Sequence, residues 1–167
     1  IMDAVAETHA DLGIIFDTDV DRAGAVLSDG SELNRNRIIA MLSAILLREH
    51  PGTTIVTDSI TSTGLAAFIE KHGGVHHRFK RGYRNVINES IRLNNEGHDS
   101  QLAIETSGHG ALKENYFLDD GAYLVTRLLI ELARGKKEGY TRESLITDLA
   151  EPAESREFRM NLLCDDF

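Results

Sequence analysis

Asp17, Asp19 and Asp21 stand at alternate positions and are followed at once by a cation, Arg22. In a tight loop such carboxylates converge, and like charges so close together are costly without a cation between them. Oxygen donors of this kind suit the hard ions Mg2+ and Ca2+. An EF-hand would need glycine at the sixth loop position and glutamate at the twelfth, where Arg22 and Ser28 stand, so that calcium loop is excluded. The plain alternative is a solvated acidic turn. The apolar run Gly13 to Phe16 directly before the loop argues for a site instead.

Three further segments carry chemistry. Glu105-Thr-Ser107-Gly108-His109 offers a carboxylate, a hydroxyl, a glycine and an imidazole within five residues. Such a set donates to and accepts from vicinal sugar hydroxyls, and Gly108 lets the backbone approach closely. Arg78, Lys80, Arg81 and Arg84 form a basic cluster without an acid, in a chain of net charge −9. A cluster that opposes the global charge suggests an anion site for phosphate. The hydroxyl-rich run from Thr57 to Thr63 reads as capping at a helix start, and His76 and His77 as structural residues on opposite strand faces.

These segments need elements to position them. Leu12 to Phe16 and Ala23 to Leu27 are short apolar runs, the second closed by Asp29-Gly30 as a turn. Arg37 to Glu49 reads as a deeply buried helix, ended by Pro51-Gly52. After it come strand Thr54 to Thr57, helix Ser62 to His72, strand Val75 to Phe79, helix Tyr83 to Asn95 and strand Leu102 to Ile104. A loop or hairpin from Ser107 to Leu118 leads to a helix from Asp120 to Arg134, with Asp119 or Asp120 as N-cap and Gly135 as its C′ residue. The tail from Glu138 holds eight acids and three arginines, and is expected to be a short helix from Thr141 to Leu149 plus a loose extension. Alternating strands and helices define an α/β class, a three-layer α/β/α arrangement on a mainly parallel sheet. Such sheets bind ligands at the carboxyl ends of their strands, where all four polar segments fall.

Composition narrows the classes further. The 167 residues are 41% hydrophobic and 27% charged, ordinary for a folded domain. No apolar run nears the ~20 residues of a membrane span, and the acidic balance disfavours nucleic acid. One cysteine, Cys164, fits a reducing compartment, so a cytoplasmic location is expected.

Taken together, Asp17-Thr-Asp-Val-Asp-Arg22, Lys80-Arg-Gly-Tyr83, Glu105-Thr-Ser-Gly-His109 and Asp119-Asp-Gly121 resemble the α-D-phosphohexomutases, the phosphoglucomutase/phosphomannomutase family. The resemblance runs in order from about Asp11 to Ala133. It implies that Asp17, Asp19 and Asp21 bind Mg2+, with a phosphoserine oxygen completing the site. Arg22 would face the transferring phosphoryl group. Glu105, Ser107 and Gly108 would contact the sugar, with His109 nearby as a catalytic candidate. Lys80 would assist proton transfer, and Arg84 could share that role. Where the commonest family loop has glycines, Thr18 and Val20 stand here, which stiffens the loop.

The implied reaction moves phosphate between the 1- and 6-positions of a hexose through a 1,6-bisphosphate. The family's Ser-His-Asn-Pro nucleophile loop is absent from this sequence. Residues 1 to 30 therefore resemble the end of a second domain, 31 to 137 a third domain, and 138 to 167 a linker toward a fourth. The chain is expected to be an excised piece, inactive alone, whose partners are hexose phosphates and the remaining domains. Two rivals remain. One is a small phosphatase of the haloacid-dehalogenase type with Asp17 as nucleophile, although Asp21 stands where that motif usually has Thr or Val. The other is a non-catalytic sugar-phosphate-binding module.

Overall fold

The computed structural model describes residues 1–140, 143–154, 156, 158 and 160. Its first part is an antiparallel sheet of three strands, β1 (Leu12–Phe16), β2 (Ala23–Leu27) and β3 (Glu32–Leu33), in that spatial order. A short helix, α1 (Met2–Thr8), precedes it and buries only Val5. The sequence shows too little apolar periodicity to reveal α1.

The second sheet is built from β4 (Thr54–Asp58), β5 (Val75–Phe79), β6 (Ser100–Ile104) and β7 (Gly110–Leu112), in the order β5-β4-β6-β7. The first three strands are parallel and β7 returns antiparallel to β6. Helices α2 (Arg35–Glu49), α3 (Thr63–Lys71), α4 (Tyr83–Asn95) and α5 (Gly121–Glu138) complete the architecture. This is the expected α/β/α class.

Strand alternation separates the two faces of the second sheet. Ile55, Leu102 and Leu112 join one core with α2, α3 and α5, whereas Val56, Ala103 and Ala111 join another with α4. Every residue from Ile38 to Leu47 of α2 is buried. A helix apolar all round needs cover on all sides, and its core includes Ala25, Leu27 and Leu33 from the first sheet as well as Ile55 and Leu102 from the second.

Two expectations need correction. α5 runs past Gly135 to Glu138 and ends at Gly139, whose φ of 78° is the left-handed cap. Gly135 instead serves close packing, since a β-carbon there would come within 2.8 Å of the Tyr140 carbonyl oxygen. In the tail, the described residues hold one 3-10 turn, Glu143–Leu145, rather than a helix reaching Leu149. Thr141 and Arg142 lie outside the described residues. Ile146 is nevertheless buried in the main core, and Leu145 and Leu149 pack against it, whereas residues 150–154 after them are exposed.

Candidate functional site

The acidic loop is the connection between β1 and β2. Oxygens of Asp17, Asp19 and Asp21 all lie within 4.8 Å of one another. Asp17 is locked by its neighbour: Oδ1 accepts the Arg22 backbone N–H at 3.2 Å and Oδ2 accepts Arg22 Nε–H at 2.6 Å. Burial pushes the Asp17 carboxyl up, but Arg22 outweighs it and holds the group below its ordinary range. Asp21 Oδ1 is shielded from solvent, has no hydrogen-bond partner among the described residues, and has Arg22 Nε at 3.8 Å as its nearest paired charge. A shielded, unmatched carboxylate oxygen beside two more carboxylates is the donor set a hard cation requires, so these residues fit Mg2+.

The loop's shape has a cost. Val20 adopts a φ of 65°, a left-handed conformation that β-branched residues avoid. Its carbonyl accepts the Gly121 N–H at 3.1 Å. Gly121 has no room for a side chain, because a β-carbon would meet the Arg22 carbonyl carbon at 2.8 Å and the Val20 oxygen at 2.9 Å. The start of α5 therefore sits directly on the acidic loop.

The Glu105–His109 segment connects β6 to β7 and touches the acidic loop through a backbone bridge between Arg22 and His109. Gly108, with φ 102°, brings its α-carbon so near that a β-carbon would lie 3.0 Å from the Ala23 oxygen. Glu105 is buried and already engaged. Oε1 accepts the Gly82 N–H at 2.6 Å and Oε2 accepts the Ser107 hydroxyl at 3.2 Å. His109 Nδ1 lies 2.7 Å from Asp119 Oδ2, and Asp119 Oδ1 accepts the Gly110 N–H at 3.0 Å. Burial pushes the Asp119 carboxyl up, against the opposing pull of His109. Tyr83 stacks on the His109 ring with centroids 4.7 Å apart, and the Arg84 guanidinium lies over the Tyr83 ring, 5.7 Å from its centroid.

The basic cluster divides. Arg78 donates to Thr61 Oγ1 at 3.2 Å and to the Ser62 carbonyl at 2.8 Å, so it fastens the β4–α3 loop rather than awaiting an anion. Lys80, Arg81 and Arg84 are exposed. Ser62 caps α3 by accepting the Leu65 N–H at 3.0 Å, as its hydroxyl-rich run suggested. His76 bonds Thr57 and His77 bonds Glu89, the structural roles expected of them.

One residue escaped sequence reasoning, and so did the role of another. Asp58 ends β4, is wholly buried, and accepts the Thr106 hydroxyl at 2.7 Å through Oδ2. Burial pushes its carboxyl up. Its position, at the end of a strand like Asp17 and Glu105, was the available signal. The other is Asp119, which holds His109 while Asp120 alone caps α5 by accepting the Tyr123 N–H. A cavity of about 340 Å³ opens beside both loops, lined by Phe16, Asp17, Arg22, Arg35, Thr106 and Ser107 among others.

The molecule is thus an α/β/α domain in which the acidic loop after β1 and the polar loop after β6 meet through the Arg22–His109 bridge. Residues 34–151 match the model of the family "Phosphoglucomutase/phosphomannomutase, alpha/beta/alpha domain III". A phosphomannomutase/phosphoglucomutase of Pseudomonas putida is 36% identical over 131 residues, which is 78% of this chain and 27% of that protein. A phosphoglucomutase of Neisseria gonorrhoeae is 29% identical over 150 residues, 89% of this chain and 32% of that protein. The crystal structure of a phosphoglucomutase/phosphomannomutase family protein from Burkholderia thailandensis superposes with a TM-score of 0.76 at 31% identity, covering 90% of this chain and 31% of the other. The chain belongs to the phosphoglucomutase/phosphomannomutase family, and spans roughly a third or less of the length of these relatives.

Proposed function

We propose that this chain supplies the metal loop and the sugar-recognition loop of a mutase that moves phosphate between the 1- and 6-positions of a hexose through a 1,6-bisphosphate. The observation that carries this reading is the backbone bridge between Arg22 and His109. Such a reaction needs charge neutralised at the phosphoryl group and hydroxyls oriented on the sugar at one place, and the bridge ties the two loops suited to those tasks.

Bound Mg2+ would supply charge neutralisation on the transferred oxygens, held by Asp17, Asp19 and Asp21. Arg22, oriented by Asp17, adds its guanidinium to that task. Glu105, Ser107 and Gly108 bind sugar hydroxyls. Lys80 moves the proton of the attacking or departing hydroxyl, a task Arg84 shares. His109 lends its ring to the same step, held in orientation by Asp119 and Tyr83.

In this reading, residues 1–30 belong to a second domain, 31–137 to a third, and 138–167 lead toward a fourth. The serine nucleophile comes from outside these 167 residues, so the chain alone does not turn over. The setting is cytoplasmic. The phosphatase alternative is weakened because both oxygens of its nucleophile, Asp17, are engaged by Arg22.

The test is a residue-resolved NMR titration with Mg2+ and then glucose 1,6-bisphosphate. Shifts are expected at Asp17 to Arg22 with metal, and at Lys80 and Glu105 to His109 with sugar. Conversion of glucose 1-phosphate to glucose 6-phosphate by the pure chain would refute its inactivity. Phosphate release from a simple monoester, lost in Asp17→Asn, would instead establish the phosphatase. Tight sugar-phosphate binding with every catalytic assay blank, also after the missing domains are added, would leave a binding module.

A further inference from the structure

We infer that Asp58 is a positioning residue of the Glu105–His109 loop, which it holds to the second sheet through the Thr106 hydroxyl. Asp58 ends β4, the strand that lies between β5 and β6. It is wholly buried, and its Oδ2 accepts the Thr106 hydroxyl at 2.7 Å. β4 and β6 run parallel with Thr57 opposite Ile104, so Asp58 and Glu105 each stand one step beyond the last paired position. Thr106 separates Glu105 from Ser107 and itself lines the cavity beside the acidic loop. A shift of Thr106 therefore moves both polar neighbours.

Asp58 is anchored independently of the loop it holds. Its backbone lies opposite Phe79 of β5, and its carbonyl accepts the Thr61 hydroxyl at 3.1 Å. The loop closes on itself: the Glu105 N–H donates to the His109 carbonyl at 2.9 Å and the Gly108 N–H to the Glu105 carbonyl at 3.2 Å. Those bonds set the loop's shape, and the Thr106 hydroxyl sets its place over β4. The carboxyl also carries a cost that packing does not explain. Oδ1 is shielded and has no hydrogen-bond partner among the described residues, and an apolar pair at positions 58 and 106 would avoid that cost.

Charge decides how firmly the bond holds, since a hydroxyl bonds more strongly to a carboxylate than to a neutral acid. Burial first pushes the Asp58 carboxyl up; the Thr106 hydroxyl draws it back, Glu105 pushes it up and Arg81 pulls it down. On β5, His76 is committed to Thr57, and Arg78 to Thr61 and Ser62. The Thr106 bond favours the charged form, so by linkage the charged form favours the bond. Falling pH thus loosens the loop as Asp58 takes up a proton, above the ordinary 3.8. Because the folded value is raised, protonation favours the fold while it weakens this bond, so the loosening is local. The inference concerns the loop's placement; that the loop grips sugar hydroxyls rests on the mutase reading.

The test follows the Asp58 carboxyl carbon and the loop amides by NMR as pH falls, in the unaltered chain, in Asp58→Asn and in Thr106→Val. In the unaltered chain the amides of Thr106 and Ser107 should titrate with the Asp58 carboxyl, at a midpoint above 3.8. Asp58→Asn should abolish that response, while the one at His109 and Gly110, which follows Asp119, persists. Thr106→Val should raise the Asp58 midpoint and shift Glu105 to Gly108, effects that a residue needed only for packing would not produce. Loop amides that ignore the Asp58 carboxyl in the unaltered chain, or that titrate alike in Asp58→Asn, overturn the inference. So does a Thr106→Val chain whose Asp58 midpoint stays where it was. Glucose 1,6-bisphosphate at neutral pH should bind severalfold more weakly to Thr106→Val than to the unaltered chain, and equal binding also overturns the inference. An unaltered chain that ignores this sugar would count against the mutase reading and leave the pH result to decide the place of Asp58.

Discussion

The two loops that meet at the Arg22–His109 bridge rest on contrasting ground. The Glu105–His109 loop leaves β6, whose five residues are all buried. The acidic loop leaves β1, where Ile15 is 55% and Phe16 39% exposed. Yet the acidic loop is the one that crowds three carboxylates together, and it contains the strained Val20. Its precision is therefore borrowed. Gly121 at the start of α5 and His109 beyond β6 hold it from the side of the second sheet.

The largest effect should come from breaking the ground itself. Leu102→Ala, at a fully buried position, should cost about 2–5 kcal/mol. Ile15→Ala should stay within about 0.5 kcal/mol. Urea unfolding of both variants measures this, and equal losses would erase the contrast between the sheets.

Gly121→Ala attacks the borrowed support. The new methyl meets backbone rather than yielding side chains, so a loss of about 1–3 kcal/mol is expected, with amide shifts concentrated at Val20 to Arg22. Shifts spread evenly over the second sheet would show that α5 does not single out the acidic loop.

Acid should separate the regions by pH window. Burial first, then the charges of Arg78 and His77, hold His76 down to about 4 from an ordinary 6.5. A depressed folded value means that stability is present above pH 6.5 and is lost as pH falls toward 4. Asp17, where burial is outweighed by Arg22, lies below its ordinary 3.8 and loses its contribution only at lower pH. Melting temperature should thus fall between pH 6.5 and 4 in the unaltered protein and fall less in His76→Gln. Identical slopes would remove His76 as the cause.

The smallest effect belongs to Val20→Gly. Relief of left-handed strain and added freedom in the unfolded chain oppose one another, leaving a change of no more than about 1 kcal/mol. Denaturant midpoints decide it, and a clear destabilisation would mean that the valine side chain stabilises the loop by contacts that outweigh its strain.

Much of this was legible from residues alone, because apolar runs and the acids that follow them are local signals. Leu12–Phe16, Ala23–Leu27, Val75–Phe79 and Tyr83–Asn95 have the bounds their patterns indicate. What stayed hidden depends on partners far along the chain. Asp58 gains meaning only through Thr106, and Gly135 only through the returning Tyr140. Asp119 and Asp120 look equivalent as caps, and only the position of His109 tells them apart. Arg78 joined the basic cluster by composition, but its hydrogen bonds run to Thr61 and Ser62.

The bridge between residues 22 and 109 also bears on the order of folding. Strands β4 and β5 and the β6–β7 hairpin close short stretches of chain, whereas this bridge must close a far longer one, and long closures follow local ones. Amide protection at Arg22 is accordingly expected to appear after protection in β4 and β6 during pulse-labelled refolding. The acidic loop would then acquire its shape last, on a domain that is otherwise already assembled.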